Sequence, residues 1–237
     1  DPEVQTSTIR VMPIPKTVTV PVYLQLKRSV ALRNEVINAK YANVPKSAMD
    51  HYGKGLELSK AEKNEEAIAE FRIALGSHPA FAPCHSEIGK IQLKAGRLDE
   101  AVNSFRVAIK VDPENFDAHL NLGIALLNAK KFDEAEPELV TAAYLDRSAV
   151  TPHYYLGILF VMKDDLDIAR KAFETAKDLK GGKSLPSLHK YLGRIYMAKN
   201  MKKEAIDELE TYIKLMPKAQ DVERIRKDIS DLKSKQN

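Results

Sequence analysis

Five glycines restrict this chain more than any other feature. Gly55, Gly89, Gly123, Gly157 and Gly193 recur at intervals of 34, 34, 34 and 36 residues. A period of that length marks an array of small units that bury their apolar faces against neighbours. Other columns keep the same register. His51, His85, His119, His153 and His189 each stand four residues before a glycine. Ala67, Ala101, Ala135, Ala169 and Ala205 follow the glycines by twelve residues. Phe71, Phe105, Leu139, Phe173 and Leu209 follow by sixteen, and Ala74, Ala108, Ala142, Ala176 and Tyr212 by nineteen.

Each column has a physical reading. Glycine and alanine inside helical patterns let two helices approach closely, and packing offsets the helix cost of the glycine. The Phe/Leu column fills the space between paired helices. Tight turns such as Lys94-Ala95-Gly96-Arg97 and Lys130-Lys131 separate the two helices of a unit. The second helix opens on acids, as at Asp99-Glu100 and Asp133-Glu134, which suit a helix N-terminus. Pro79, Pro113 and Pro217 cannot continue a helix and close three units. Each unit is therefore a pair of helices of about 12–15 residues, too short to be stable alone.

These columns resemble the tetratricopeptide repeat, a 34-residue helix pair with this Gly, Ala, Phe, Ala, Pro pattern. The resemblance covers residues 48–218 and has specific departures. Histidine replaces the usual large aromatic of the first helix, and Lys54 stands where an apolar residue normally precedes the glycine. Pro137 predicts a mild kink in the sixth helix of the array. Gly181-Gly182 adds two residues to the fourth unit, which predicts a loosened loop.

The resemblance implies an all-α fold, a right-handed superhelix (α-solenoid), with a short β-like N-terminal extension. The expected organisation is an N-terminal arm over 1–46 and five repeats over 47–218. The repeats run over 48–81, 82–115, 116–149, 150–185 and 186–219. A capping helix over 219–237 then buries the stripe Val222, Ile225, Ile229 and Leu232. In the arm, Val18, Val20, Val22, Leu24 and Leu26 alternate with Thr19, Pro21, Tyr23 and Gln25, which is strand periodicity. Ile9 and Val11 suggest a partner strand, and residues 29–41 a helix. The β segment resembles the last strands of the carboxypeptidase-regulatory-like or PEGA-type sandwiches that precede such repeats in some bacterial envelope proteins. The chain opens on Asp1 and is expected to be a fragment of a longer protein.

Charge narrows the classes of function. The formal net charge of +4 sits in residues 1–46, while residues 47–218 are nearly balanced at −1. Nucleic-acid binding needs a concentrated basic face, so no nucleic acid is expected as a partner. No stretch is long and apolar enough for a membrane span. The single cysteine, Cys84, excludes an internal disulfide framework.

Catalytic readings fail one by one. Histidines 34 residues apart lie on successive repeats, too far apart to share an ion; they are expected to pack within their units. Cys84 and His85 are helix neighbours that do not face each other. Gly182-Lys183-Ser184 imitates the end of a phosphate loop, but its first glycine position holds Lys177. No catalytic residue, metal, cofactor or small-molecule substrate is therefore expected, and the chain is read as a non-enzyme.

The repeat resemblance implies that first helices line a concave groove for a peptide or protein segment. The candidate lining is Tyr52, Lys90, Leu120, Asn121, Ile124, Tyr154, Tyr155, Ile158, Lys190, Tyr191 and Arg194. Leu120, Ile124, Tyr154, Tyr155, Ile158 and Tyr191 are expected to form an apolar, aromatic strip, with the tyrosines as interface anchors. Lys190 and Arg194 suit an acidic residue or a chain terminus. A carboxylate clamp for chaperone tails is absent: Asn121 matches, but Ser86, Lys90, Thr151 and Tyr155 occupy its other sites. The expected function is a non-catalytic scaffold for an unidentified protein partner. Two alternatives stand beside it: an assembly or spacer module that self-associates through residues 1–26, and a regulatory segment of a larger enzyme. The location, cytoplasmic or bacterial envelope, is not specified by these residues.

Overall fold

The computed structural model describes residues 43–234. The strands and the helix expected in the N-terminal arm lie outside these residues. The described residues are all-α, with eleven helices and one 3-10 turn, and they fall into two compact units that divide after Arg147. None of these helices is long and apolar enough to cross a membrane.

Residues 43–147 hold three helix pairs. These are α1 (Lys46–Lys60) with α2 (Asn64–Ser77), α3 (Ala82–Lys94) with α4 (Leu98–Val111), and α5 (Phe116–Asn128) with α6 (Phe132–Leu145). Residues 148–234 hold α7 (Val150–Met162) with α8 (Leu166–Asp178), then a 3-10 turn (Gly182–Ser184). The pair α9 (Pro186–Ala198) and α10 (Lys202–Leu215) follows, and α11 (Val222–Ser234) ends the unit.

Every pair is joined by the same turn. Glu62, Gly96, Lys130, Asp164 and Asn200 have φ between 57° and 75°, at the spacing of the glycine column. In the first turn Glu62 N–H donates to the Ser59 carbonyl and Lys63 N–H to that of Leu58. The same two bonds recur at Gly96-Arg97, Lys130-Lys131, Asp164-Asp165 and Asn200-Met201. This is a Schellman ending, which satisfies the orphan carbonyls and turns the chain into the second helix. That helix starts with acids, Glu65 and Glu66 in α2, Asp99 and Glu100 in α4, and Asp133 and Glu134 in α6. Asp165 caps α8 through its side chain, which accepts from Ile168 N–H.

Packing follows the columns. A Cβ added to Gly55, Gly89, Gly123, Gly157 or Gly193 would come within 2.5–2.7 Å of the residue sixteen positions later. Those residues, Phe71, Phe105, Leu139, Phe173 and Leu209, are no more than 1% exposed. The alanines at 67, 101, 135, 169 and 205 are fully buried beside them. Within residues 43–147, α3 packs on α2, and α5 on both α3 and α4. Ion pairs at a spacing of 32 join successive repeats there: Arg97 to Glu65 at 3.0 Å, Lys94 to Glu62 at 3.5 Å and Lys131 to Asp99 at 3.7 Å. Being exposed, each contributes well under about 1 kcal/mol.

Pro137 lies inside α6. The two-glycine insertion does not loosen its loop. Gly181 has φ 94°, Gly182 is buried, and Gly182, Ser184 and Leu185 N–H groups donate to the Leu179, Gly181 and Gly182 carbonyls. In the same unit, α11 packs on α10 with Val222, Ile225, Ile229 and Leu232 each at most 7% exposed.

Candidate protein-binding surface

The column glycine marks the side of each first helix that meets its second helix. Lys90, Ile124, Ile158 and Arg194 stand one residue after that glycine, and Asn121, Tyr155 and Tyr191 two before it. They therefore point about 100° or 160° away from that side.

In residues 43–147, Tyr52 is half-buried, its ring 5.8 Å from Phe71 and 5.1 Å from Phe81. Lys90 is half-buried and pairs with Glu87 at 2.9 Å on its own helix. Asn121 is half-buried and donates from Nδ2 to the Asp117 carbonyl at 2.6 Å. Leu120 and Ile124 are 9% and 5% exposed and belong to the interior. Cys84 is also buried, and burial pushes its thiol up to about 12.

In residues 148–234, Tyr154 and Tyr155 are not exposed anchors. Tyr154 is 5% exposed and Tyr155 and Ile158 only 1%. This corrects the expected anchor role of Tyr154 and Tyr155 and the expected exposure of Ile158. The physical reason is local: residues 150–162 contain no charged side chain. A helix with so few polar positions is buried over most of its surface. Tyr154 OH finds its partner inside, donating to Ser187 Oγ at 2.8 Å. Its ring lies edge-on to Tyr155 at 5.5 Å and to Phe173 at 5.8 Å. Burial raises the hydroxyl pKa of Tyr154, Tyr155 and Tyr191 above the usual tyrosine value. Tyr191 stacks flat on Phe173, with centroids 5.2 Å apart and planes 9° apart, and stays half-buried.

The two cations of α9 have different surroundings. Lys190 Nζ lies 2.5 Å from Asp221 Oδ2 and over the Tyr212 ring at 5.5 Å. Tyr212 OH donates to Asp221 Oδ1 at 2.6 Å, so Lys190 is committed to holding the start of α11. Arg194, one turn further, is half-buried, and among the described residues no carboxylate lies within ion-pair distance of it. Of the eleven candidates, Tyr52, Lys90, Asn121, Lys190, Tyr191 and Arg194 thus retain exposed surface.

One set of residues was not singled out from the sequence. Glu70, Glu138 and Glu208 stand nineteen positions after His51, His119 and His189 and accept from their Nδ1 atoms at 2.5–2.6 Å. The signal was available as a shared spacing present in three of five repeats. Through Nε2, His85, His119 and His189 also reach the Pro79, Pro113 and Lys183 carbonyls in the loops before their helices, so these rings touch the end of the preceding repeat as well as their own.

Comparisons with known proteins agree with this geometry. A family model described as "Tetratricopeptide repeat" matches residues 86–152. No curated protein matches the chain by sequence. Among solved structures, MamA 41-end from Desulfovibrio magneticus RS-1 superposes with a TM-score of 0.66 at 20% identity, covering 75% of this chain and 99% of that one. YrrB, titled "a TPR protein with an unusual peptide-binding site", gives 0.64 at 20% identity, covering 80% and 97%. Pseudomonas aeruginosa pilF gives 0.69 at 18% identity, covering 80% and 88%. Likeness at these identities is a likeness of fold. With the recurring columns, the Schellman turns and the packing of glycine on Phe or Leu, it shows that the described helix pairs have the tetratricopeptide-repeat fold, with residues 86–152 matched by the family model itself.

Proposed function

We propose that this protein is a non-catalytic scaffold that binds a protein segment on the first-helix faces of its repeats. The observation that carries the reading is the set of half-buried, chemically mixed residues on those faces. Lys90 and Asn121 serve residues 43–147, and Tyr191 and Arg194 serve residues 148–234. A half-buried aromatic ring supplies contact area, and a guanidinium with no carboxylate in ion-pair distance, only Asp228 further off, favours an acidic ligand group. Repeat scaffolds of this kind generally act through protein contacts, and YrrB is described as having a peptide-binding site.

The test is a peptide array probed with the wild-type chain and with a Lys90→Glu/Arg194→Glu variant. Peptides with acidic positions, bound by the wild type and lost by the variant, support the reading. An array without signal, or signal unchanged in the variant, removes it.

A further inference from the structure

Two histidines of the repeat column are each held between two acceptors. His119 Nδ1 lies 2.6 Å from Glu138 Oε2 on α6, and its Nε2 lies 2.9 Å from the Pro113 carbonyl in the loop before α5. His189 Nδ1 lies 2.5 Å from Glu208 Oε2 on α10, and its Nε2 lies 2.9 Å from the Lys183 carbonyl in the loop before α9. The two rings are 8% and 4% exposed, so water does not substitute for either bond.

A neutral imidazole has one N–H and one lone pair. With a carboxylate at one nitrogen and a carbonyl at the other, it can satisfy only one contact. Both contacts are made when both nitrogens carry protons. At His189 the same carboxylate also accepts from Lys177 Nζ at 2.8 Å, which favours the ionised form of Glu208 as the acceptor. We propose that His119 and His189 are imidazolium locks, each fastening the first and second helices of its own repeat to the loop that arrives from the preceding repeat, so that both repeats loosen when the locks lose their protons.

Electrostatics agree with the geometry. Burial disfavours the charged ring of His119, but Glu138, the Pro113 carbonyl and Asp112 outweigh it, and its pKa is raised. Burial opposes the charge on His189 as well. Glu208 and the Lys183 carbonyl overcome both that and the repulsion from Lys177. His153 is the internal contrast. It occupies the same column, but Ala172 stands nineteen residues on, and burial lowers its pKa. A histidine held above its ordinary value contributes stability that is complete below that value and is lost as pH rises through the raised one.

The experiment is nitrogen-detected NMR titration of the six imidazoles in the full chain, beside a Glu138→Gln/Glu208→Gln variant. The amide oxygen of Gln still accepts from Nδ1 but carries no charge, so the variant keeps the shape of the site. The expected result is that His119 and His189 retain both ring protons above the ordinary histidine range. His153 loses its proton first. In the variant, the midpoints of His119 and His189 fall back to the ordinary range or below, and stability varies less with pH above about 6.5. His119 and His189 titrating with His153, or a stability profile identical in wild type and variant, overturns the proposal.

Discussion

The ring of Phe71 occupies the space a side chain on Gly55 would need, since an added Cβ would lie 2.5 Å from Cε1 of that ring. The same relationship links Gly123 to Leu139, whose Cγ would be 2.6 Å away and whose backbone nitrogen would be 3.3 Å away. At Gly123 the neighbour's main chain as well as its side chain limits retreat. Gly123→Leu should therefore force α5 off α6. Overpacking of this kind costs about 1–3 kcal/mol or more. A chemical denaturation curve should show a clear loss of stability, and an unchanged midpoint would refute the helix contact.

Tyr155 gives a prediction of the opposite kind, a cavity. The side chain is 1% exposed and lies against Tyr154. Tyr155→Ala should cost about 3–5 kcal/mol, the range for removing a buried aromatic. The measurement is the urea midpoint. A loss below about 0.5 kcal/mol, typical of surface sites, would place the ring outside the core.

The five left-handed turn residues test the backbone. Gly96 occupies this conformation without strain, whereas Lys130 at φ 60° carries a side chain in it. Lys130→Gly should raise stability by about 0.5–1 kcal/mol, and Gly96→Ala should lower it by a similar amount. Thermal melts of both variants decide the matter, and shifts of the same sign would contradict the shared turn geometry.

Asp221 ties α11 to its neighbours. Burial raises its pKa, but Lys190 and the Tyr212 hydroxyl outweigh burial, and the carboxyl is held below its usual value. A lowered carboxylate stabilises above its ordinary value, and that contribution disappears as pH falls through the lowered one. Acid should therefore release α11 early. Asp221→Asn should do so at neutral pH, at a cost of about 1.5 kcal/mol for a charge-assisted bond. Amide exchange in residues 222–234 should accelerate ahead of α9 and α10. Uniform exchange across the three helices would count against the tie.

Much of this architecture was legible before any coordinates. Glycine, alanine and Phe/Leu recur because one close contact is built five times, and a repeated contact leaves a repeated letter. The stripe Val222, Ile225, Ile229 and Leu232 was equally plain, since one apolar side on a charged helix must be covered. The candidate surface was less legible. Tyr155, Tyr191 and Asn121 hold the same repeat position, yet Tyr155 is buried and the other two are half-buried. Helical period assigns a residue to a face; it does not say how far the surroundings close over that face.

The sequence by itself therefore determined the repeat, its turns and the residues that hold each helix pair together. Those contacts are local, between positions sixteen or nineteen apart, and their residue types are dictated by close packing. Tertiary structure decided which first-helix residues keep exposed surface, and which histidines meet a carboxylate and a carbonyl at once. Both depend on atoms from three elements converging on one point: the His–Glu spacing of nineteen is visible in the sequence, but whether a carbonyl meets the same ring and whether the site closes to water are not.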